Sequence, residues 1–144
     1  MPHASRTVTI AAPIEKVFAF FTDPANEPSW RTGVKDIHAH GEPAVGAVIH
    51  QTIKGPLGRG IPADIEITDY TWLASYGFKG VAGPVRPVGS YDFRQTEDGG
   101  TAVTFTLDAD LGGGAKEKFM GKPVQKSMDG EMAALDRAKA LLEG

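Results

Sequence analysis

Two tyrosines, Tyr76 and Tyr91, are the side chains of this sequence best placed to do chemistry inside the protein. Each lies in a run where apolar and polar residues alternate, which is typical of a half-buried strand. If Ile65 and Phe105 face inward, the same alternation points both tyrosines inward. A buried phenol needs a hydrogen-bond partner, so either tyrosine could donate to a ligand carbonyl and polarise it. The alternative is a packed aromatic ring whose hydroxyl bonds to the backbone or to water.

Two further polar or amphipathic residues are candidates for the same interior. Gln51 shares a strand face with Ile49 and Ile53, so it is either an inward polar group or a residue at the edge of the sheet. Trp30 follows the short helical segments near the N-terminus. It either packs those segments against the end of the sheet or lines the mouth of a cavity.

Histidine spacing suggests a metal site only weakly. His38 and His40 are two residues apart, so on a strand both side chains point the same way, and such a pair can bind a metal. No third ligand is evident, because His50 belongs to another strand and is predicted to face outward. Asp36 is on the same side as His38 but is expected to be solvated. We therefore predict no metal site.

The motifs of nucleotide-binding and nucleophilic sites are missing. Residues 55–60 lack the lysine and hydroxyl residue of a P-loop, the glycines at 112–114 carry no dinucleotide fingerprint, and no serine has an elbow sequence around it. Asp64 and Glu66 share the face opposite the isoleucines, which indicates a solvated pair. The chain has no cysteine, so disulfides and thiolate chemistry are excluded. We predict no cofactor.

The element expected to position these residues is a long C-terminal helix. After three glycines at 112–114, apolar residues recur at steps of three and four, from Met120 and Val124 through Met128 to Leu142. Pro123 predicts a break near Gly121, with the main helix starting at the proline. The methionines are either ordinary core residues or the adaptable wall of a ligand cavity.

The rest of the chain predicts a sheet for that helix to cover. Residues 6–10 alternate as a first strand, and two short helices follow, ending near Ser29. Six further alternating runs, separated by turn signals, predict strands between Val34 and Leu107. Successive strands with short connections favour an antiparallel meander. The loops at 55–60 and 80–89 are rich in glycine and proline and are expected at the mouth of a cavity.

Several stretches carry a resemblance to a known superfamily. They are Val8 to Phe18, Asp23-Pro24, Pro28-Ser29-Trp30, Val45-Gly46, Asp69-Tyr70 and Gly99-Gly100-Thr101. Together they resemble the START-like, helix-grip (SRPBCC) superfamily, in particular its polyketide cyclase/dehydrase and lipid-transport-like branch. The resemblance spans essentially the whole chain.

That resemblance implies an α+β fold in which a seven-stranded antiparallel sheet grips the C-terminal helix, with two short helices after the first strand. It also implies a deep apolar cavity between sheet and helix. The expected lining consists of Trp30, Gln51, Ile65, Tyr76, Phe78, Tyr91, Phe93, Phe105, Met120, Val124 and Met128. Superfamily members include lipid carriers, cyclases, chaperone activators and accessory subunits, so the fold alone does not select an activity.

The sequence is therefore compatible with three functions. The first is binding of a small hydrophobic, lipid- or polyketide-like molecule in the cavity, and the second is a cyclase/dehydratase-type enzyme using Tyr76 or Tyr91 there. The third is an accessory or chaperone-type interaction module, and a homodimer or protein partner stays open. The 144 residues suit one domain, residues 1–144. A net charge of -3 argues against a nucleic-acid partner.

The sequence shows neither a signal region nor a membrane-spanning run, and a cytoplasmic location is expected.

Overall fold

The computed structural model describes residues 1–144 apart from the side chain of Pro56. The chain runs in the order β1 (His3–Ile10), α1 (Ile14–Thr22), a 3₁₀ turn (Pro24–Asn26), α2 (Glu27–Trp30), β2 (Val34–Ala39), β3 (Val48–Lys54), a second 3₁₀ turn (Pro56–Gly58), β4 (Gly60–Pro62), β5 (Ile65–Thr71), β6 (Ser75–Gly80), β7 (Val88–Gln95), β8 (Thr101–Asp108) and α3 (Gly114–Glu143). The predicted α+β class and its order of elements are confirmed.

The strands form one curled antiparallel sheet with the order β1-β8-β7-β6-β5-β3-β2, and β4 pairs with β3 outside this path. The seven-stranded sheet is confirmed. The three-residue β4 was not predicted, because its glycine and proline are turn residues rather than strand formers. The first strand pairs with the last along its whole length, from His3 opposite Asp108 to Ile10 opposite Thr101.

The helix α3 covers the concave face of the sheet. Met128, Met132, Leu135, Ala138 and Leu142 are buried, as their helical spacing predicts. The predicted break near Gly121 is wrong, since α3 is helical from Gly114 to Glu143 with Pro123 inside it. Proline lacks an N–H and crowds the preceding turn. Here Pro123 is exposed to solvent, so the carbonyl left without a helical partner can be hydrated.

The alternation of β6 begins later than the sequence pattern suggests. In the sequence Trp72 falls in the same alternating run as Tyr76, which predicts a strand through both, but the strand starts only at Ser75 and the Trp72 side chain is 70% exposed. Leu73 has φ of +62°, a left-handed conformation that turns the chain between β5 and β6. The period of two therefore cannot extend back through this turn.

The length and hydrophobicity of the helices determine whether any of them could span a membrane. Over the described part of the chain, no helix combines the length and the hydrophobicity that crossing a bilayer requires.

Candidate functional site

Four polar residues form a cluster between the short helices, the sheet and α3, and we call Glu27, Arg31, Gln51 and Glu131 the Arg31 cluster. The Arg31 guanidinium donates from Nε and Nη2 to the two carboxylate oxygens of Glu131, at 2.8 and 3.1 Å. Its Nη1 donates to Glu27 Oε2 at 3.4 Å and to Gln51 Oε1 at 3.2 Å. The side chains of Arg31, Glu27 and Glu131 are only 15, 14 and 19% exposed.

The cluster exists because separate parts of the chain deliver its members to one place. Glu27 opens α2 and Arg31 directly follows it, so the two are one helical turn apart and on the same side. Gln51 points inward from β3, and its amide Nε2 donates to the Ala63 carbonyl at 2.9 Å. Glu131 extends from α3. The ion pairs thus connect helix α3 to α2 and, through Gln51, to the sheet.

Burial changes the protonation behaviour of Glu27. Burial, with a smaller contribution from the charge of Glu131, raises the pKa of Glu27 from 4.5 to about 7 against the lowering effect of Arg31. Burial alone would lower the pKa of Arg31, but Glu131 and Glu27 outweigh it and raise that pKa, so the guanidinium stays charged. Glu131 is therefore the main counter-ion of Arg31, while Glu27 can hold or release a proton near neutral pH.

Both candidate tyrosines lie on the concave side of the sheet. Tyr91 is 3% and Tyr76 4% exposed, and the Tyr91 ring stacks on Phe105 with ring centroids 4.3 Å apart. Burial is the largest cause of a raised pKa at both phenols, and the charge of Glu27 adds to it. Both hydroxyls therefore stay protonated and can act as hydrogen-bond donors.

The hydroxyls of Tyr76 and Tyr91 make no hydrogen bond with any residue that the structure describes. Over that same part of the chain, every buried side-chain nitrogen or oxygen that is fully shut off from solvent has a partner. The two hydroxyls must therefore still touch a space that water can reach, although their rings are almost completely buried. Such donors, held on rigid strands beside an ion cluster, can orient the polar end of a small molecule.

The other residues of the expected lining fall into two groups. Buried are Trp30, Gln51, Phe78, Phe93, Phe105 and Met128, while Ile65, Met120 and Val124 are half-buried. Ile65 and Val124 pack against the core cluster. That these residues contact a ligand stays a prediction.

A groove of about 590 Å³ lies outside the expected lining, between α1 and the ends of β2 and β5. Phe18, Ile37, Tyr70 and the exposed Trp72 contribute to its walls. The Phe18 ring also packs against Phe93, with centroids 5.0 Å apart, and against Tyr70 at 5.5 Å. Phe18 therefore separates the groove from the aromatic interior. The groove is a second candidate site for a ligand.

Three of the four histidines gather on the outer face of β2 and β3. His38 lies opposite His50 in the strand register, and the rings of His38, His40 and His50 have centroids 5.2–5.6 Å apart. The His50 Nδ1 is 2.9 Å from Asp64 Oδ2. The sequence did not show that β2 and β3 pair in this register. As the side chains stand, no group of three or more His, Asp or Glu among the described residues is arranged to hold a metal ion.

Sequence reasoning missed Glu27, Arg31 and Glu131. A signal was present for Glu131, which occupies a position in the apolar stripe of α3 between Met128 and Leu135, where a charged residue is unexpected. The spacing of Glu27 and Arg31 by four residues is a second signal. Neither signal shows that the two helices meet.

Comparison with solved structures identifies relatives of the fold. A protein from Thermus thermophilus superposes with a TM-score of 0.77 at 20% identity, over 96% of this chain and 95% of that one. A START superfamily protein from Mycobacterium smegmatis superposes with a TM-score of 0.75 at 13% identity, over 98% and 97% of the two chains. The di-domain ARO/CYC BexL from the BE-7585A biosynthetic pathway gives 0.73 at 19% identity, over 99% of this chain and 50% of that one.

At these levels of sequence identity, the structural similarity establishes a shared fold but does not establish a shared activity. No curated protein matches the sequence significantly. A family model described as polyketide cyclase / dehydrase and lipid transport matches residues 1–143. The helix-grip architecture and this match over nearly the whole length agree with the resemblance seen in the sequence. The chain belongs to the polyketide cyclase / dehydrase and lipid transport family.

Proposed function

We propose that the protein binds a small, mainly hydrophobic molecule between the sheet and α3, with the polar end of that molecule at Tyr76, Tyr91 and the Arg31 cluster. The observation that carries the proposal is the pair of buried tyrosines whose hydroxyls have no described partner and still reach accessible space. Surrounding rings such as Phe78, Phe93 and Phe105 supply the apolar surface. The family description, which names both cyclases and lipid transport, supports the same class of ligand.

Arg31 itself contributes little direct binding in this proposal. Four of its five N–H donors are already used by Glu131, Glu27 and Gln51. Its role is to fix the positions of the two carboxylates and of the Gln51 amide. The free donors are the tyrosine hydroxyls, and these suit an acceptor such as a ketone or phenol oxygen.

Phenylalanine at Tyr76 or at Tyr91 should weaken binding of a neutral carbonyl-containing probe such as Nile red about fivefold per substitution, because each removes one hydrogen bond of about 1 kcal/mol. Fluorescence titration measures this, and native mass spectrometry of the purified protein identifies any co-purifying molecule. Tyr70→Phe is the matched control, since Tyr70 lines the groove instead. If Tyr70→Phe and Trp72→Ala weaken binding while Tyr76→Phe and Tyr91→Phe do not, the ligand lies in the groove and the proposal fails.

A second candidate function, cyclase/dehydratase-type catalysis, is favoured by one observation, the raised pKa of Glu27. A carboxyl group with a pKa of about 7 can accept and return a proton at neutral pH. In an aldol-type ring closure, Glu27 would take a proton from a carbon between two carbonyls, and a tyrosine hydroxyl would stabilise the resulting enolate oxygen. The enolate carbon would attack a second ketone, and the alkoxide formed would take the proton back from Glu27. Glu27 would then remove the remaining proton from the same carbon and give it to the departing hydroxyl, so that one water leaves and Glu27 ends as a carboxylate.

The test is Glu27→Gln, which keeps the shape of the side chain but cannot transfer a proton. We expect turnover of a β-polyketone to fall about 100- to 10,000-fold, while the variant still binds Nile red. The wild-type rate should show an inflection near pH 7 that the variant lacks. An unchanged rate in Glu27→Gln, or a wild-type protein that returns the β-polyketone unaltered, would leave binding as the function.

A further inference from the structure

The strand register places several loops and the start of α3 at one end of the sheet. β1 begins, β8 ends and β7 begins there, since His3 and Val88 both pair with Asp108. β6 ends there too, because Lys79 pairs with Val88. The β3–β4 loop follows at the same end, because β3 runs from Ile49, opposite Ile65, towards Lys54. We call this the basic end.

Charge is concentrated at the basic end. Eight of the 15 lysines and arginines are there, all exposed: Lys35, Lys54, Arg59, Lys79, Arg86, Lys116, Lys118 and Lys122. Six acidic residues accompany them: Asp36, Asp64, Glu66, Asp108, Asp110 and Glu117. The balance is +2, whereas the remaining seven basic and 12 acidic residues give -5, in agreement with the net charge of -3. The amino terminus adds a further positive charge, which pairs with Glu117 at 2.9 Å.

Large apolar side chains project from the same end. Leu57 is 100% exposed at the tip of the β3–β4 loop, Phe119 is 76% exposed on the first turns of α3, and Met1 and Val88 are 75 and 58% exposed. Leu57 has φ of +60°, a left-handed conformation that is uncommon for a residue other than glycine. Exposed apolar side chains surrounded by lysines and arginines are typical of surfaces that insert into the interface of an anionic bilayer.

We propose that the basic end docks on the surface of an anionic lipid bilayer, with Leu57 and Phe119 inserted among the headgroups. Charge complementarity selects this occupant, since the end carries +2 while the protein as a whole is negative. The loops at 55–60 and 81–87 lie at this end, so docking brings the expected mouth of the ligand cavity against the membrane. In this respect the inference rests on the proposed function and names the place where the ligand is taken up or released.

Vesicle flotation tests the docking, with vesicles of phosphatidylcholine alone or mixed 3:1 with phosphatidylglycerol. We expect binding to the anionic vesicles and loss of that binding in 0.5 M salt. The triple variant Arg59→Gln/Lys118→Gln/Lys122→Gln should bind roughly 100-fold more weakly. Leu57→Ser/Phe119→Ser should bind at least about tenfold more weakly. The matched control Trp72→Ser/Arg94→Gln alters an exposed apolar and a basic residue at the other end and should bind as wild type does.

Several results would overturn the docking. They are equal binding to both kinds of vesicle, wild-type binding by Leu57→Ser/Phe119→Ser, or an equal loss in the control variant. A dimer in solution that Leu57→Ser/Phe119→Ser dissociates would also overturn it, because a second copy would then cover the apolar tips. Nile red titration without vesicles separates this proposal from the proposed function. If the protein binds the probe but not the vesicles, only the docking proposal is rejected. If it binds the vesicles but not the probe, only the proposed binding of a ligand between sheet and helix is rejected.

Discussion

Replacing Arg31 by methionine should lower the free energy of unfolding by about 3–5 kcal/mol at pH 8, because Glu27 and Glu131 would remain as buried carboxylates without their cation. Methionine keeps much of the volume of the arginine stem, so the loss reports charge more than packing. The measurement is urea unfolding of both proteins.

The loss should depend on pH in a defined direction. In the wild type the pKa of Glu27 is raised from 4.5 to about 7, so its protonated form is the one that the fold favours. The stability contributed by such a group is fully present below about pH 4.5 and is lost as the pH rises through 7. Without Arg31 the pKa of Glu27 should rise further, because the lowering effect of the guanidinium is lost. The difference between Arg31→Met and wild type should therefore shrink at pH 5 and grow at pH 8.

Lys79→Met is the control for Arg31→Met, because it breaks an exposed ion pair with Glu66 at 3.9 Å. Exposed pairs contribute about 0–1 kcal/mol, so this variant should stay close to wild type at both pH values. A loss at Arg31→Met that is equally large at pH 5 and pH 8 would show that packing, and not an uncompensated charge, is what the arginine supplies.

Trp30→Ala should be the other strongly destabilising change, at about 3–5 kcal/mol. Trp30 is completely buried at the junction of α2 and the sheet, and its ring packs edge to face on Phe21 with centroids 5.5 Å apart. Arg137 on α3 donates to its backbone carbonyl at 3.4 Å. Alanine would leave a large cavity next to the Arg31 cluster. We expect the melting temperature to fall by about 10–15 °C.

The chain contains a natural control for Trp30→Ala in its second tryptophan. Trp72 is 70% exposed, so Trp72→Ala should change stability by no more than about 0.5 kcal/mol. Thermal unfolding followed by circular dichroism compares the two. Equal losses at the two positions would contradict the view that Trp30 joins α2 to the sheet.

The sheet and its inward residues could be predicted because a period of two is a local property of the sequence. Tyr76, Tyr91 and Phe105 follow that period, and all three are buried. Trp72 does not follow it, since the left-handed Leu73 interrupts the period in a turn. Pro123 led to the wrong prediction of a helix break. Proline costs free energy in a helix interior, and the sequence pattern does not show that packing elsewhere along the helix compensates for this cost.

The Arg31 cluster could not be predicted for a different reason. Arg31 and Glu131 are 100 residues apart, and Arg31 and Gln51 are 20 apart. Their meeting depends on how α3 and β3 pack on α2, which no local pattern contains. A carboxylate within an apolar helix stripe indicates that some partner is needed, yet it does not say which of the 15 basic residues supplies it.

The pairing of β1 with β8 has a consequence for how the protein is made. His3 and Asp108 are 105 residues apart, so during synthesis β1 leaves the ribosome about 5–20 s before its partner strand does. Until then β1 has open backbone groups on both sides. Its outward residues, such as Ser5, Thr7 and Thr9, are polar, and this limits association with other strands. Closing the pair also requires a large loop, so the sheet should be completed late and slowly, after the β5–β7 hairpins have formed.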